Sequence, residues 1–350
     1  MGIKNFMKWV NRYAPGSIEL TNLDKMSNKV LGVDASLLMY KAELAIKGNG
    51  FEMRNNNGKI TSHLYVSFFS IIRLLKNNII PIYVFDGKPN KLKNFVLHRR
   101  ELKSDSAKLK LNKLKQIKKR TNKIKKDINK LEIISFDINV SMENDLIKML
   151  DLMGIPHIKA KNEADSLLAY MEINKYIDGV ISDDTDIIIF GTNNLYKNVS
   201  THVKTTKSSI QHISYEKIID HMKWKREQLV NLAILLGSDY APTIKGVGMV
   251  KLTELINNNY TLNDILNEYK VYNKDRDQII LAKKFMLDES FNLVKYVKIN
   301  CELNKMKYGQ IHPNKLYNFL VKDNQLDDKR VSKQIIFLKN ILRKDNFELI

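Results

Sequence analysis

The chain has 350 residues, 44% of them hydrophobic, a formal net charge of +20 and a single cysteine, Cys301. That length and apolar content suit one large domain or two smaller ones, while one cysteine excludes an internal disulfide or a cysteine-based zinc cluster and fits a reducing compartment, cytosol or nucleus. No apolar run reaches bilayer-spanning length, MGIKNFMKWV alternates apolar and basic positions unlike a signal peptide, and Phe6 stands where N-myristoylation after Gly2 needs Ser or Thr, so a soluble protein with no membrane partner is expected.

A short amphipathic helix is expected over Ile3 to Tyr13, stopped by Pro15 and Gly16. The apolar run KVLGVD then reads as a strand closing on Asp34, followed by helical periodicity from Ser36 to Ile46. Tyr40 on that helix is either a core aromatic or a base-stacking platform, and position alone favours the core. Residues 47 to 60 read as a loop or short hairpin turning at Asn57-Gly58, and a helix from Ser62 to Lys76 follows. Arg73 on it reads as a solvated charge before a phosphate contact.

A second strand, IIPIYVFD, closes on Asp86, and Gly87-Lys88-Pro89 turns the chain into its most basic segment. Residues 88 to 130 hold 17 Lys or Arg against 3 acids, a density that points to a polyanionic partner. Helical spacing runs through Leu92 to Leu102 and Leu109 to Leu131, with Lys93 and Arg100 seven apart on one face. A helix from Asp137 to Met153 precedes a short strand opened by Gly154-Ile155-Pro156; Asn162 then reads as a helix cap ahead of Glu163 and Asp165.

GVISDDTDIIIFG, residues 179 to 191, is an apolar strand that stops in three acids, Asp183, Asp184 and Asp186. Either Asp184 caps the short helix that follows, or the crowded carboxylates share a divalent cation; the stretch alone fits both. The recurrence decides. Three strands end in Asp, and in a parallel sheet their carboxylates converge at one edge, where a hard cation such as magnesium takes oxygen ligands. Residues 192 to 213 read as short strands and turns, with His202 and His212 too isolated for a metal pair. Arg226 to Leu236 is an amphipathic helix, broken at Gly237; a loop carries Asp239, and Gly246-Val247-Gly248 starts another helix whose glycines leave backbone groups facing outward. The remainder is mostly helical by periodicity, without an internal repeat.

Several of these segments together resemble the XPG-like family of structure-specific 5′ nucleases, the flap endonucleases in particular. The similarity runs end to end through MGI, VDAS (33 to 36), TSHL (61 to 64), YVFDGKP (83 to 89), LMGIP (152 to 156), NEAD (162 to 165), SDDTD (182 to 186), and LLGSDY with GVG (235 to 248). It implies an α/β fold, a mostly parallel sheet flanked by helices in the PIN-like manner. It also implies a nuclease region over 1–90 and 137–225, a helical gateway and cap over 91–136, a helix-hairpin-helix over 226–260, and a helical remainder over 261–350.

The resemblance further implies two magnesium ions, with manganese able to substitute, held by Asp34, Asp86, Glu163, Asp165, Asp184, Asp186 and Asp239. Asp165 stands where the family usually has Glu. Lys93 and Arg100 match the basic pair above the metals, with Arg99 the alternative register, and Tyr40 matches the aromatic that stacks on the nucleotide. Gly2 would place an amino terminus near the site. Lys47, Arg54, Thr61 and Arg330 fall near positions that bind the duplex junction and a 3′ flap, where Asn324 replaces a family Lys. Gly246 and Gly248 would grip duplex, with potassium held by Thr243, Ile244 and Val247. The expected substrate is branched or flapped double-stranded DNA, in replication or repair; the protein is expected to be monomeric, and the closing FLKNILRKDNFELI lacks a sliding-clamp motif.

Overall fold

A computed structural model describes residues 2–47, 53–117, 121–199, 210–288 and 308–341. Seven strands form one sheet in the order β1-β7-β6-β5-β2-β3-β4, where β1 is Ile18–Thr21, β2 Val30–Asp34, β3 Ile80–Phe85, β4 His157–Lys159, β5 Gly179–Ile181, β6 Leu195–Lys197 and β7 Ile210–Ile213. The five strands from β6 to β4 run parallel, and β7 turns the edge antiparallel against β6 and β1. The sheet is therefore mostly parallel, with helices on both faces.

The apolar continuity of β2 and β3 follows from this position, because a strand covered on both faces has no solvent side. All six residues of β3 are buried. One face packs against α1 (Phe6–Tyr13), α7 (Ala164–Ile173) and α10 (Arg226–Gly237), with Trp9 stacked on Trp224 at 5.4 Å. The other packs against α2 (Ala35–Lys47), α3 (Ser62–Lys76), α6 (Val140–Met153) and the helix Asp328–Ile341. Among the described residues no helix is long and apolar enough to cross a membrane.

Three expectations about helix ends are corrected. The two basic helices are α4, Asn94–Lys115, and α5, Asn122–Ile134, so the break falls inside the expected 109–131 helix. Thr121 starts the second one, its hydroxyl accepting from the Ile124 amide. The helix expected from Asp137 begins at Val140, because the Asn139 side chain accepts from the Met142 amide and fixes the start there. The cap expected at Asn162 lies one residue on, at Glu163, for a reason given below. His202 lies outside the described residues.

The chain turns through 55–58, the Gly58 amide donating to the Asn55 carbonyl at 2.8 Å, and Arg54 bridges Ile60 across the turn. Gly87 is a position where only glycine fits: a Cβ would lie inside van der Waals contact with the Ala160 and Lys161 carbonyls, and the Gly87 amide donates to the Asn162 carbonyl at 2.5 Å. Gly87→Ala is expected to cost about 1–3 kcal/mol, since backbone must give way. Denaturant unfolding measures this, and an unchanged midpoint would contradict the close approach.

Candidate active site

The register of the sheet sets the site. Asp34 pairs in line with Val84 of β3, and Val33 with Ile181 of β5, so Asp34, Asp86 and the Ser182–Asp186 turn emerge side by side at the carboxyl edge. They open into a cavity of about 320 Å³. Asp34, Asp86, Glu163, Asp165, Asp184 and Asp239 line it, together with Tyr40, Lys93 and Arg100. Asp186 is not on the wall. It lies beneath, fully buried, and neither of its carboxylate oxygens has a hydrogen-bond partner.

Two of these acids also begin helices. The Leu37 amide donates to Asp34 Oδ1 at 2.9 Å at the start of α2, and the Ala164 amide to Asp86 Oδ1 at 2.8 Å at the start of α7. The second contact explains the shifted cap: Asp86, from another loop, satisfies the amide that Asn162 was expected to serve. Asp184 stands at a helix start and on the cavity wall at once. Its Oδ1 accepts from the Asp186 amide at 3.0 Å at the start of α8 (Asp186–Ile189), although Thr185 holds the N-cap position, and its side chain still faces the cavity.

Electrostatics reflect the crowding. Burial, then Asp86, pushes the Asp34 carboxyl up to about 7. Burial followed by Asp184 raises Asp165 and Asp186 well above the ordinary carboxylate range. A carboxyl raised on folding stabilises the fold below its ordinary value of 3.8 and loses that contribution as pH rises through about 7. Thermal stability in a chelator is therefore expected to fall from pH 5 to pH 8, less so in Asp34→Asn; equal slopes in both proteins would refute this origin.

Lys93 reaches into the acids. Its Nζ lies 2.8 Å from Glu163 Oε1 and 4.6 Å from the centroid of the Tyr240 ring, whose hydroxyl donates to Glu163 Oε2 at 2.6 Å. Burial pushes the ammonium down, but Glu163, Asp165 and Asp186 outweigh it and hold Lys93 above the ordinary lysine range. Arg100, two turns further along α4, pairs with Asp239 at 2.5 Å from the loop after α10.

Among the described residues no three acids, histidines or thiols close around a single point as they stand. The donor set nevertheless fits a hard divalent cation: every donor is a carboxylate oxygen, and Asp186 presents two buried oxygens with no protein partner. A cation there would also offset the burial and the neighbouring charges that raise Asp34, Asp165 and Asp186.

The other expected contacts are dispersed. Tyr40 leans on Phe136 at 6.1 Å between ring centroids, and Lys47 lies over the same ring at 4.2 Å. Gly2 has φ +90° and packs so closely on the acidic turn that a Cβ would meet Asp184 Oδ1 at 2.5 Å. Arg54 is exposed and bonds the Gly58 carbonyl, while Arg330 donates to the Tyr65 hydroxyl at 2.8 Å. Thr61, expected near the duplex junction, is 3% exposed at the start of α3. Asn324 is likewise buried, donating to the Phe319 carbonyl at 2.8 Å. Arg73 is half-buried in the last turn of α3. Thr243, Ile244, Gly246, Val247 and Gly248 share the loop between α10 and α11 (Met249–Asn257), away from the cavity wall.

Tyr240 carries no signal of its own in the sequence, although it sits next to Asp239 in LLGSDY. Asp183 faces away from the cavity wall, paired with Lys41 and accepting from the Asn198 amide at 2.8 Å.

Comparison with known proteins agrees with this arrangement. The XPG N-terminal domain matches residues 1–107 and the XPG I-region residues 154–239. Flap endonuclease 1 of Entamoeba histolytica is 30% identical over 355 residues, covering 98% of this chain and 89% of its own; that of Aedes aegypti is 29% identical over 344 residues, covering 97% and 88%. Flap endonuclease-1 from Methanococcus jannaschii shares the fold with a TM-score of 0.69 and 23% identity, over 96% of this chain and 99% of that one. The matched segments carry the strands, the converging acids and the start of the basic helix, and the chain belongs to the XPG family of nucleases, with the flap endonucleases as full-length relatives.

Proposed function

We propose that the chain is a divalent-metal-dependent, structure-specific 5′ flap endonuclease, with 5′-3′ exonuclease activity, acting on branched DNA in replication or repair. One observation carries the reading: six carboxylates line a single cavity over the buried Asp186, with Lys93 and Arg100 reaching in from the basic helix.

Asp34, Asp86, Glu163, Asp165, Asp184, Asp186 and Asp239 would hold two magnesium ions, or manganese in their place. When bound, such ions acidify water and withdraw charge from a phosphodiester. The protein's own groups do the rest. Lys93 and Arg100 sit where negative charge grows on the scissile phosphate, and fixed positive groups in a partly buried cleft stabilise it without reorganising. Tyr40, backed by Phe136, offers a face for the terminal base.

Residues 91–136 act as the gateway for the 5′ single strand. Their charge, and that of Lys47, Arg54, Arg73 and Arg330, makes binding steeply salt-dependent. The loop of Gly246 and Gly248 serves duplex, and its carbonyls at Thr243, Ile244 and Val247 suit potassium.

The deciding assay offers labelled double-flap, bubble, four-way-junction and nicked DNA, with and without magnesium. Metal-dependent incision of the double flap, with 5′-phosphate and 3′-hydroxyl products, is the expected result; no incision of any of them would end the proposal.

A further inference from the structure

Two of the loops that deliver acids to the cavity also carry lysines. The first runs Asp86-Gly87-Lys88 after β3, and the second Lys161-Asn162-Glu163 after β4. In each loop the acid lines the acidic cavity, while the lysine two residues away lines a separate cleft of about 550 Å³. Gly87 borders both, so the cleft lies beside the acids. Among the described residues its wall is Gly87, Lys88, Lys159, Ala160, Lys161 and Asn162, with three lysines and no acid.

Backbone hydrogen bonds hold the two loops together. The Ala160 amide donates to the Phe85 carbonyl at 2.9 Å, the Gly87 amide to the Asn162 carbonyl at 2.5 Å and the Lys88 amide to the Lys161 carbonyl at 3.2 Å. The close approach at Gly87, which leaves no room for a Cβ, keeps them there. Lys88 and Lys161 therefore leave the backbone from one junction.

The charges at that junction are unequal in their partners. Lys159 is matched by Glu143. Lys88 and Lys161 are exposed and, among the described residues, pair with no acid. Two ammonium groups brought together without a counter-charge repel each other, and a bound anion relieves the repulsion. A phosphodiester strand passing from the acidic cavity supplies that anion.

We propose that Lys88 and Lys161 form a phosphate subsite for the 5′ single strand, holding it just beyond the scissile phosphate. The single strand is favoured over duplex on two grounds. The groups assigned to duplex above, Lys47, Arg54, Arg330 and the 243–248 loop, come from other segments, and a cleft within the usual range of about 300–1,000 Å³ for small-ligand pockets suits one nucleotide. This rests on the flap-nuclease reading and adds to it a place, outside residues 91–136, where the flap is held.

The test uses the full chain, with Kd measured in chelator on a double-flap DNA and on the same DNA lacking its 5′ flap. Lys88→Ala/Lys161→Ala is expected to raise Kd for the flapped DNA about tenfold and to leave that for the unflapped DNA within about twofold. The salt slope on the flapped DNA is expected to fall by about 1.4, from two single-strand phosphates at about 0.7 each. In magnesium, KM for the flap is expected to rise with Kd while kcat at saturation stays within about twofold, since neither lysine lines the acidic cavity. Both side chains are exposed, so the melting temperature is expected to hold. Lys161→Ala alone, with a slope lowered by about 0.7, gives the same comparison should the double variant not fold.

An unaltered Kd for the flapped DNA overturns the proposal. So does an equal loss on both DNAs, which assigns the lysines to duplex or to the general field of the protein. Neither comparison needs cleavage, so a wild-type chain that binds the flap yet cuts none of it refutes the nuclease reading instead, and the two failures are distinct.

Discussion

Asp186→Asn is expected to abolish cleavage while making the protein harder to melt. The side chain is fully buried, both oxygens lack hydrogen-bond partners, and burial followed by Asp184 raises its carboxyl well above the usual range. A group so placed destabilises the fold when ionised, unless a cation meets it. The amide keeps the shape and removes the charge. In chelator at pH 8 the variant is expected to gain about 1 kcal/mol of stability. Its turnover in magnesium is expected to drop at least about 10³-fold, since several kcal/mol of charge stabilisation are lost. Binding of flap DNA is expected to change little, because the proposed phosphate contacts, on α4 and at Lys47, Arg54, Arg73 and Arg330, do not involve the buried Asp186. Calorimetry and single-turnover cleavage read the two effects separately, and near-normal turnover would remove Asp186 from the metal set.

Lys93→Ala is expected to slow the chemical step about 10²–10³-fold at saturating DNA, with affinity altered by less than about threefold. The reason is geometric. Lys93 stands over Tyr240 and against Glu163, held above the ordinary lysine range by three carboxylates, so it stays charged throughout the working pH range. Arg100 is held by Asp239 rather than Glu163, so it does not stand in the place of Lys93. Lys93→Arg should recover part of the rate. A variant that binds poorly yet cuts at the normal rate once saturated would assign Lys93 to binding.

The strands and their terminal acids were legible because both signals are local: an unbroken apolar run, then a charge. The register that brings Asp34, Asp86 and the SDDTD turn together needed only the parallel arrangement those runs imply. Helix starts were less legible where the satisfying group is remote. The cap of α7 comes from Asp86, 78 residues away, and no window around Asn162 contains it. The division between α4 and α5 was obscured by lysines that fit either helix, although Thr121 marks the second start. The burial of Glu43, His63 and Asp145 was illegible for the same reason in stronger form, since each alone reads as an ordinary polar residue on a helix. The burial of Thr61 was not legible either, since a lone threonine before a helix reads as an exposed cap.

The acids of the cavity arrive one after another along the polypeptide, the first at Asp34 and the last at Asp239, from the loop after α10. A growing chain on the ribosome therefore lacks the full set of acids until Asp239 has been added. A chain that stops before Asp239 lacks one of the cavity's acids and is expected to cleave nothing.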